Sequence, residues 1–226
     1  MQVRTQLLVE ALQRIKKHAL APWITASGSG MKITIFPEGG AGMRVSKMPI
    51  VYNGPDISFE VSDAMRVFFL RLLPFPEIKI SIDVAEKSAL IIAESATTAV
   101  QYTFPKINII DERHIECHED DVACEIITQE WISLWNCIPT KGTVDIECSH
   151  RYRPITLKHS RGRWGAAIHA KKTPKQTKKF VCDSGIARSV IHSKQEMPTF
   201  SILTFMQCGV LRWDAGPVTV YLAPIT

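Results

Sequence analysis

KINIIDERHIECHEDD, residues 106–121, lies at the middle of a 226-residue chain and holds six acidic residues against two basic ones. On either side of it the same order of elements is predicted: a short strand, an amphipathic helix, a run of alternating strands, a second helix and a last group of strands. A polar seam between two runs of one plan marks a duplicated domain. The expected division is 1–105, a connector at 106–121, and 122–226. Two domains of roughly 100 residues each match the size at which a single core is comfortably filled.

In the first half the clearest helix covers 6–18, where Leu7, Leu8, Ala11, Leu12 and Ile15 form one apolar stripe. Strand patterns follow at 23–26, 31–36, 43–51 and 57–61, and Ser62 or Asp63 can cap a helix over 64–73 that must stop before Pro74. Strands are then expected at 77–84, 89–93 and 100–104. The second half predicts a strand at 122–127, a helix over 129–138 capped by Thr128 with Trp131, Trp135 and Ile138 inward, and strands at 143–148, 154–159 and 164–170. The polar loop KKTPKQTKK (171–179) leads to a strand at 180–182, a helix over 185–194 after Asp183 or Ser184, and strands at 199–206, 210–214 and 218–222. The class is α+β: two similar domains, each with two helices packed on antiparallel sheets.

With 46% hydrophobic and 22% charged residues the composition is that of an ordinary globular protein. No apolar run approaches the ~20 residues that span a bilayer. The amphipathic N-terminus, with Glu10 and Lys16, does not read as a signal peptide, so a cytosolic or nuclear protein without membrane association is expected. The six cysteines follow no disulfide or zinc-knuckle spacing. His114, Cys117, His118 and Cys124 begin like a metal cluster but lack a second paired motif, so no metal and no cofactor is expected. Cys124, Cys148 and Cys182 alternate with apolar residues as small core side chains do. The chain lacks a glycine-rich phosphate loop, GxSxG and HExxH, which argues against an enzyme.

The net charge of +5 is unevenly spread: lysines and arginines outnumber acids 11 to 9 in 1–105, 14 to 7 in 122–226, and are outnumbered 2 to 6 in the seam. Positive charge concentrated in one half points to a polyanionic partner.

The segment from residue 106 to the helix at Trp131 is similar to the interdomain connector, strand and helix of proliferating cell nuclear antigen, and the terminal PVTVYLAPIT carries that family's closing Y-L-A-P as Tyr221, Leu222, Ala223 and Pro224. Both segments stand where the family has them. The chain departs from it in being trimmed, in being basic overall, and in having Glu116, Cys117 and His118 where a Gly-Ile-Pro ends the connector. It is therefore identified as a divergent member, and a viral origin is one reading of these departures.

The resemblance implies a sliding clamp: a homotrimeric ring that encircles duplex DNA without sequence preference and tethers a polymerase and other replication or repair proteins. Such a clamp works in the nucleus or at another site of DNA replication, including a cytoplasmic viral factory. A subunit of a heteromeric checkpoint-type clamp and a monomeric DNA-binding processivity factor are the alternatives. Helix faces would offer phosphate-binding Arg14, Lys17, Arg66, Arg71, Arg188, His192 and Lys194, with Lys171, Lys172, Lys175, Lys178 and Lys179 from the polar loop. Of Arg66 and Arg71 only one can point squarely away from the core. A pocket for aromatic-bearing partner peptides would use Met43, Val45, Ile115, Tyr221, Ala223 and Pro224. Ile115 stands out as an apolar residue in a polar loop, whereas Met43 and Val45 also read as core. Subunit contacts would come from the edge strands that contain Val100, Tyr102 and Phe104, and Trp164, Ala166 and Ile168. Replacing the five lysines of 171–179 by glutamate is expected to weaken retention on DNA and to reduce its salt dependence. A retention assay over a range of salt checks this, and an unchanged slope contradicts a DNA-facing loop.

Overall fold

The structure is a computed structural model that describes residues 1–13, 21–37, 41–50, 52–110, 122–149, 154–162, 164–171, 177–191 and 196–225. The chain divides into two compact units, Met1–Phe36 with Val45–His114, and Pro37–Arg44 with Ile115–Thr226.

The first unit contains β1 (Gln2–Arg4), α1 (Thr5–Gln13), β2 (Trp23–Ser27), β3 (Gly30–Ile35), β4 (Gly42–Met48), β5 (Ile57–Glu60), α2 (Asp63–Arg71), β6 (Glu77–Asp83), β7 (Ser88–Glu94), β8 (Ala99–Phe104) and β9 (Ile109–Ile110). The first residues of β4 belong to the second unit. The strands form two sheets, in the orders β1-β6-β7-β8 and β4-β3-β2-β5-β9. The second unit contains β10 (Val122–Ile127), α3 (Thr128–Cys137), β11 (Thr143–Cys148), β12 (Pro154–His159), β13 (Gly165–His169), β14 (Lys178–Asp183), α4 (Ser184–Ile191), β15 (Phe200–Phe205), β16 (Leu211–Ala215) and β17 (Val218–Leu222). Its sheets run β10-β15-β16-β17 and β13-β12-β11-β14.

The two orders correspond strand for strand, with β9 as an addition in the first unit. The correspondence reaches individual hydrogen bonds. Thr5 opens α1 and donates its N–H to the Pro76 carbonyl just before β6, at 3.1 Å; Thr128 opens α3 and donates to the Thr199 carbonyl just before β15, at 3.0 Å. Both threonines are fully buried.

Each unit fills its own core. In the first, Leu8, Leu12, Phe59, Met65, Phe69 and Ile91 are buried between helices and sheets. In the second, Trp131 and Trp135, one helical turn apart on α3, meet edge to face at 5.6 Å amid Ile146, Leu157 and Trp213. Cys124, Cys148 and Cys182 lie in this core. Gly30 is required at its turn: its φ is 127°, and a Cβ would stand 2.9 Å from the Met48 carbonyl oxygen.

Several boundaries differ from those predicted. Thr128 is the first helical residue rather than the cap; Ile127 holds the cap position, where its hydrocarbon side chain makes no cap bond, and the Thr199 carbonyl takes the Thr128 N–H. At α4 the Asp183 carboxylate accepts from the Ile186 N–H at 2.8 Å, while the Ser184 hydroxyl turns away to donate to the Gly142 carbonyl. At the start of the seam Ile107 is buried and Ile109 and Ile110 pair with Phe59 and Ser58, so 107–110 are built into the first unit, whereas the connector was expected from Lys106. Lys178 and Lys179 are strand, opposite Cys148 and Glu147, rather than loop.

The cap of α2 is Ser62, whose hydroxyl accepts from the Met65 N–H at 3.2 Å. Ser62→Ala is expected to cost about 1 kcal/mol in a urea titration; Asp63→Ala, which leaves the cap intact, should cost less.

Candidate nucleic-acid interface and assembly edges

A surface that holds DNA without fixing its position needs mobile cations facing outward. On α2, Arg71 is exposed in the last turn, where a cation also complements the helix dipole. Arg66 is half-buried and pairs with Asp63 one turn earlier at 3.2 Å. The pair thus divides as helical spacing requires, with Arg71 the outward residue. On α4, Arg188 is half-buried and donates from Nη1 to the carbonyl of Ile138 at 3.1 Å. Ile138 is the C-terminal cap of α3, so this guanidinium closes the end of the neighbouring helix. Arg14, Lys17, His192 and Lys194 lie outside the described residues, as do Lys172 and Lys175.

Lys171 pairs with Glu125 at 3.3 Å and stands over the Phe200 ring, 3.2 Å from its centroid. Lys179 pairs with Glu147 at 3.4 Å, and Lys178 is half-buried at the start of β14. Pairs this exposed are worth about 0–1 kcal/mol, little enough for a phosphate to compete with the carboxylate. Glu125 and Glu147 project from β10 and β11, and nothing in the lysine run signals them.

Arg44, which the sequence reasoning passed over, is 3% exposed and donates to the Val190 carbonyl in the last turn of α4 at 2.8 Å. The alternation of β4 carried the signal, since Gly42, Arg44 and Ser46 fall on one buried face. Arg188 and Arg44 therefore serve the ends of α3 and α4 respectively.

Of the expected peptide-pocket residues, Met43, Tyr221, Ala223 and Pro224 belong to the second unit. Residues 41–42 run beside 221–223: the Ala223 N–H donates to the Ala41 carbonyl at 3.0 Å, and a Cβ on Gly42 would lie 3.5 Å from the Tyr221 carbonyl oxygen. Met43, Tyr221 and Ala223 are half-buried and Pro224 is exposed, next to an exposed Ile225. Val45 is buried in the first unit, and Ile115 lies outside the described residues.

The expected interface strands are both sheet edges. Among the described residues β8 pairs with β7 alone. β13 pairs with β12, and a single bridge joins Ala170, just past its end, to Ile126. Tyr102 is 50% exposed at the β8 edge and packs with Phe68 and Phe104 at 5.3 and 4.6 Å. Phe104 and Ile168 are buried in their own cores, which leaves Val100, Tyr102, Trp164 and Ala166 as partly or fully exposed side chains along the two edges.

Removing Arg188 should therefore act on stability as well as on any DNA contact. Arg188→Ala is expected to cost about 1.5–3 kcal/mol in denaturant unfolding, because a buried helix end loses a charged donor. Arg71→Ala should stay within about 0.5 kcal/mol.

No protein-family model and no curated protein sequence matches the chain. Among solved structures it resembles the PCNA2–PCNA3 complex from Sulfolobus tokodaii, with a TM-score of 0.62 and 11% sequence identity over 99% of this chain and 99% of that chain. A match of that extent at so low an identity is a likeness of fold, and it covers both units: the chain has the sliding-clamp fold.

Proposed function

We propose that the protein is a DNA sliding clamp, a non-enzymatic ring subunit that encircles duplex DNA and tethers a polymerase and other peptide-bearing partners where DNA is replicated. The observation that carries this reading is the strand correspondence between the units. Within the second unit the chain end after β17 runs beside residues 41–42, at the start of β4. By the order of the sheets, β17 corresponds to β8 and β4 to β13. The same kind of junction can then form between β8 of one copy and β13 of the next, the two edges expected from sequence. A head-to-tail contact of this kind generates a ring when its rotation closes. Three two-unit copies would give six similar blocks, and the homotrimer is the closure we favour.

The charge distribution supports the DNA partner. Arg71 and the loosely paired Lys171 and Lys179 provide sequence-independent attraction to phosphates while leaving the ring free to slide. The half-exposed group of Met43, Tyr221, Ala223 and Pro224 supports a docking place for an apolar peptide.

A heteromeric ring is the second reading, favoured by one observation: the solved structure that the chain resembles is a complex of two differently named clamp proteins. Light scattering on the pure protein separates the two. A trimer mass that falls in Tyr102→Glu supports the homomeric ring, and a monomer that assembles only with a second chain supports the heteromer. The clamp reading itself is tested by polymerase processivity, with stimulation expected on primed circular DNA and not on linear DNA with free ends. Equal stimulation on both overturns encirclement.

A further inference from the structure

We propose that Cys124 and Cys148 form an oxidisable dithiol, which a small hydroperoxide converts into a disulfide that joins the two sheets of the second unit. Cys124 lies in the middle of β10, in the sheet β10-β15-β16-β17, and Cys148 is the last residue of β11, in the sheet β13-β12-β11-β14. Their Sγ atoms are 3.3 Å apart and both residues are fully buried. The contact therefore crosses the core between sheets rather than running along a ladder. A disulfide bond of about 2.05 Å needs the sulfurs to close by roughly 1.2 Å. This is more than two small core residues that share a cavity, because each thiol is the other's hydrogen-bond partner.

That hydrogen bond also distinguishes the two sulfurs. The bond between the two sulfurs, together with burial, holds the Cys124 thiol above its ordinary range, and the same bond draws Cys148 down. Cys148 is thus the sulfur that ionises first and attacks. It also stands at the end of its strand, where local opening admits a small oxidant more readily than mid-strand Cys124 does. In the first step the Cys148 thiolate sulfur attacks a peroxide oxygen. The O–O bond breaks, the leaving oxygen departs as water (or as the alcohol) once protonated, and Cys148 becomes a sulfenic acid. In the second step the Cys124 sulfur attacks the Cys148 sulfur. The S–O bond breaks, a second water leaves with the Cys124 proton, and the disulfide forms. The two thiols lose two electrons and two hydrogens, and the peroxide gains them.

Cys182 provides an internal control. It is buried on β14 opposite Val144, and burial pushes its thiol up to about 12. It should remain reduced under the same exposure.

The full chain, folded and in native buffer, is treated with hydrogen peroxide, then denatured in an alkylating agent and mapped by mass spectrometry without reduction. The expected result is one peptide pair linked through Cys124 and Cys148, reversed by dithiothreitol, with Cys182 alkylated. The closed loop should raise the melting temperature by about 5 °C or more. Cys124→Ala should lose the link, because it removes both the resolving sulfur and the hydrogen bond that draws Cys148 down. If this variant does not fold, the map of the unsubstituted chain decides alone. Recovery of both cysteines as free thiols after the exposed Cys137 and Cys208 have reacted overturns the proposal. So does a link that forms only in denaturant, or one from Cys148 to another cysteine.

Discussion

An unpaired sheet edge exposes a row of backbone donors and acceptors, and this constraint organises the molecule. Each unit is a pair of antiparallel sheets whose order is repeated in the other, so edges come in related sets. The second unit covers one edge from within the chain, with Ala41 and Gly42 running beside the end of β17. The related edges at β8 and β13 have no such cover among the described residues. Edges of five and six residues with Tyr102 half exposed are an aggregation hazard unless something pairs with them. A second copy in head-to-tail orientation satisfies both at once, and under the proposed function that need is what makes a ring out of a duplicated fold.

A sliding surface has to attract DNA without holding it in place. A cation bound to a backbone carbonyl within the protein contributes to the fold and little to a passing phosphate, and the buried Arg44 and half-buried Arg188 are of this kind. Each is bound to a carbonyl at or near a helix C-terminus. Lys171 and Lys179 keep more than half of their side-chain surface in water while paired with Glu125 and Glu147. In solvent such pairs exchange readily, so under the proposed function the lysines remain available to phosphate, and the carboxylates moderate the local charge that would otherwise hold DNA tightly. A count of basic residues along helices therefore does not define a phosphate-binding face by itself, and the partners of each described cation bear on its use.

The elements were legible where pattern and chemistry agreed. Ser62 follows the end of β5 and precedes the amphipathic run from Met65, and it caps α2 as its position predicts. The inward faces of α3 and of the strands that carry Cys124, Cys148 and Cys182 follow from periods of 3.6 and 2. What escaped the sequence depended on residues far away in the chain. Thr128 resembles a cap, but the carbonyl that takes its N–H belongs to Thr199, and only the folded β10–β15 pairing brings it near. Ile109 and Ile110 sit inside a polar seam, too short a run to show strand periodicity, and become strand because β5 offers an edge. Arg188 reads in the sequence as one of a basic group with His192 and Lys194, yet the helix end it closes is 50 positions earlier.

Over the described residues the helices run for 8 to 10 residues, and segments of that length do not persist alone in water, where about 12 or more are needed for even marginal stability. They exist because one face is buried on the sheets and because tertiary bonds fix their starts, Thr5 to Pro76 and Thr128 to Thr199 in matching places. The opposite face carries almost none of the folding energy. It is therefore free to differ between the copies: α3 exposes Gln129, Ser133 and Asn136, while α2 exposes Arg71. A duplicated fold held together in this way keeps its strands and buried helix faces nearly fixed, and leaves the exposed helix faces as the part of the structure where contact with a partner can be tuned without disturbing either core.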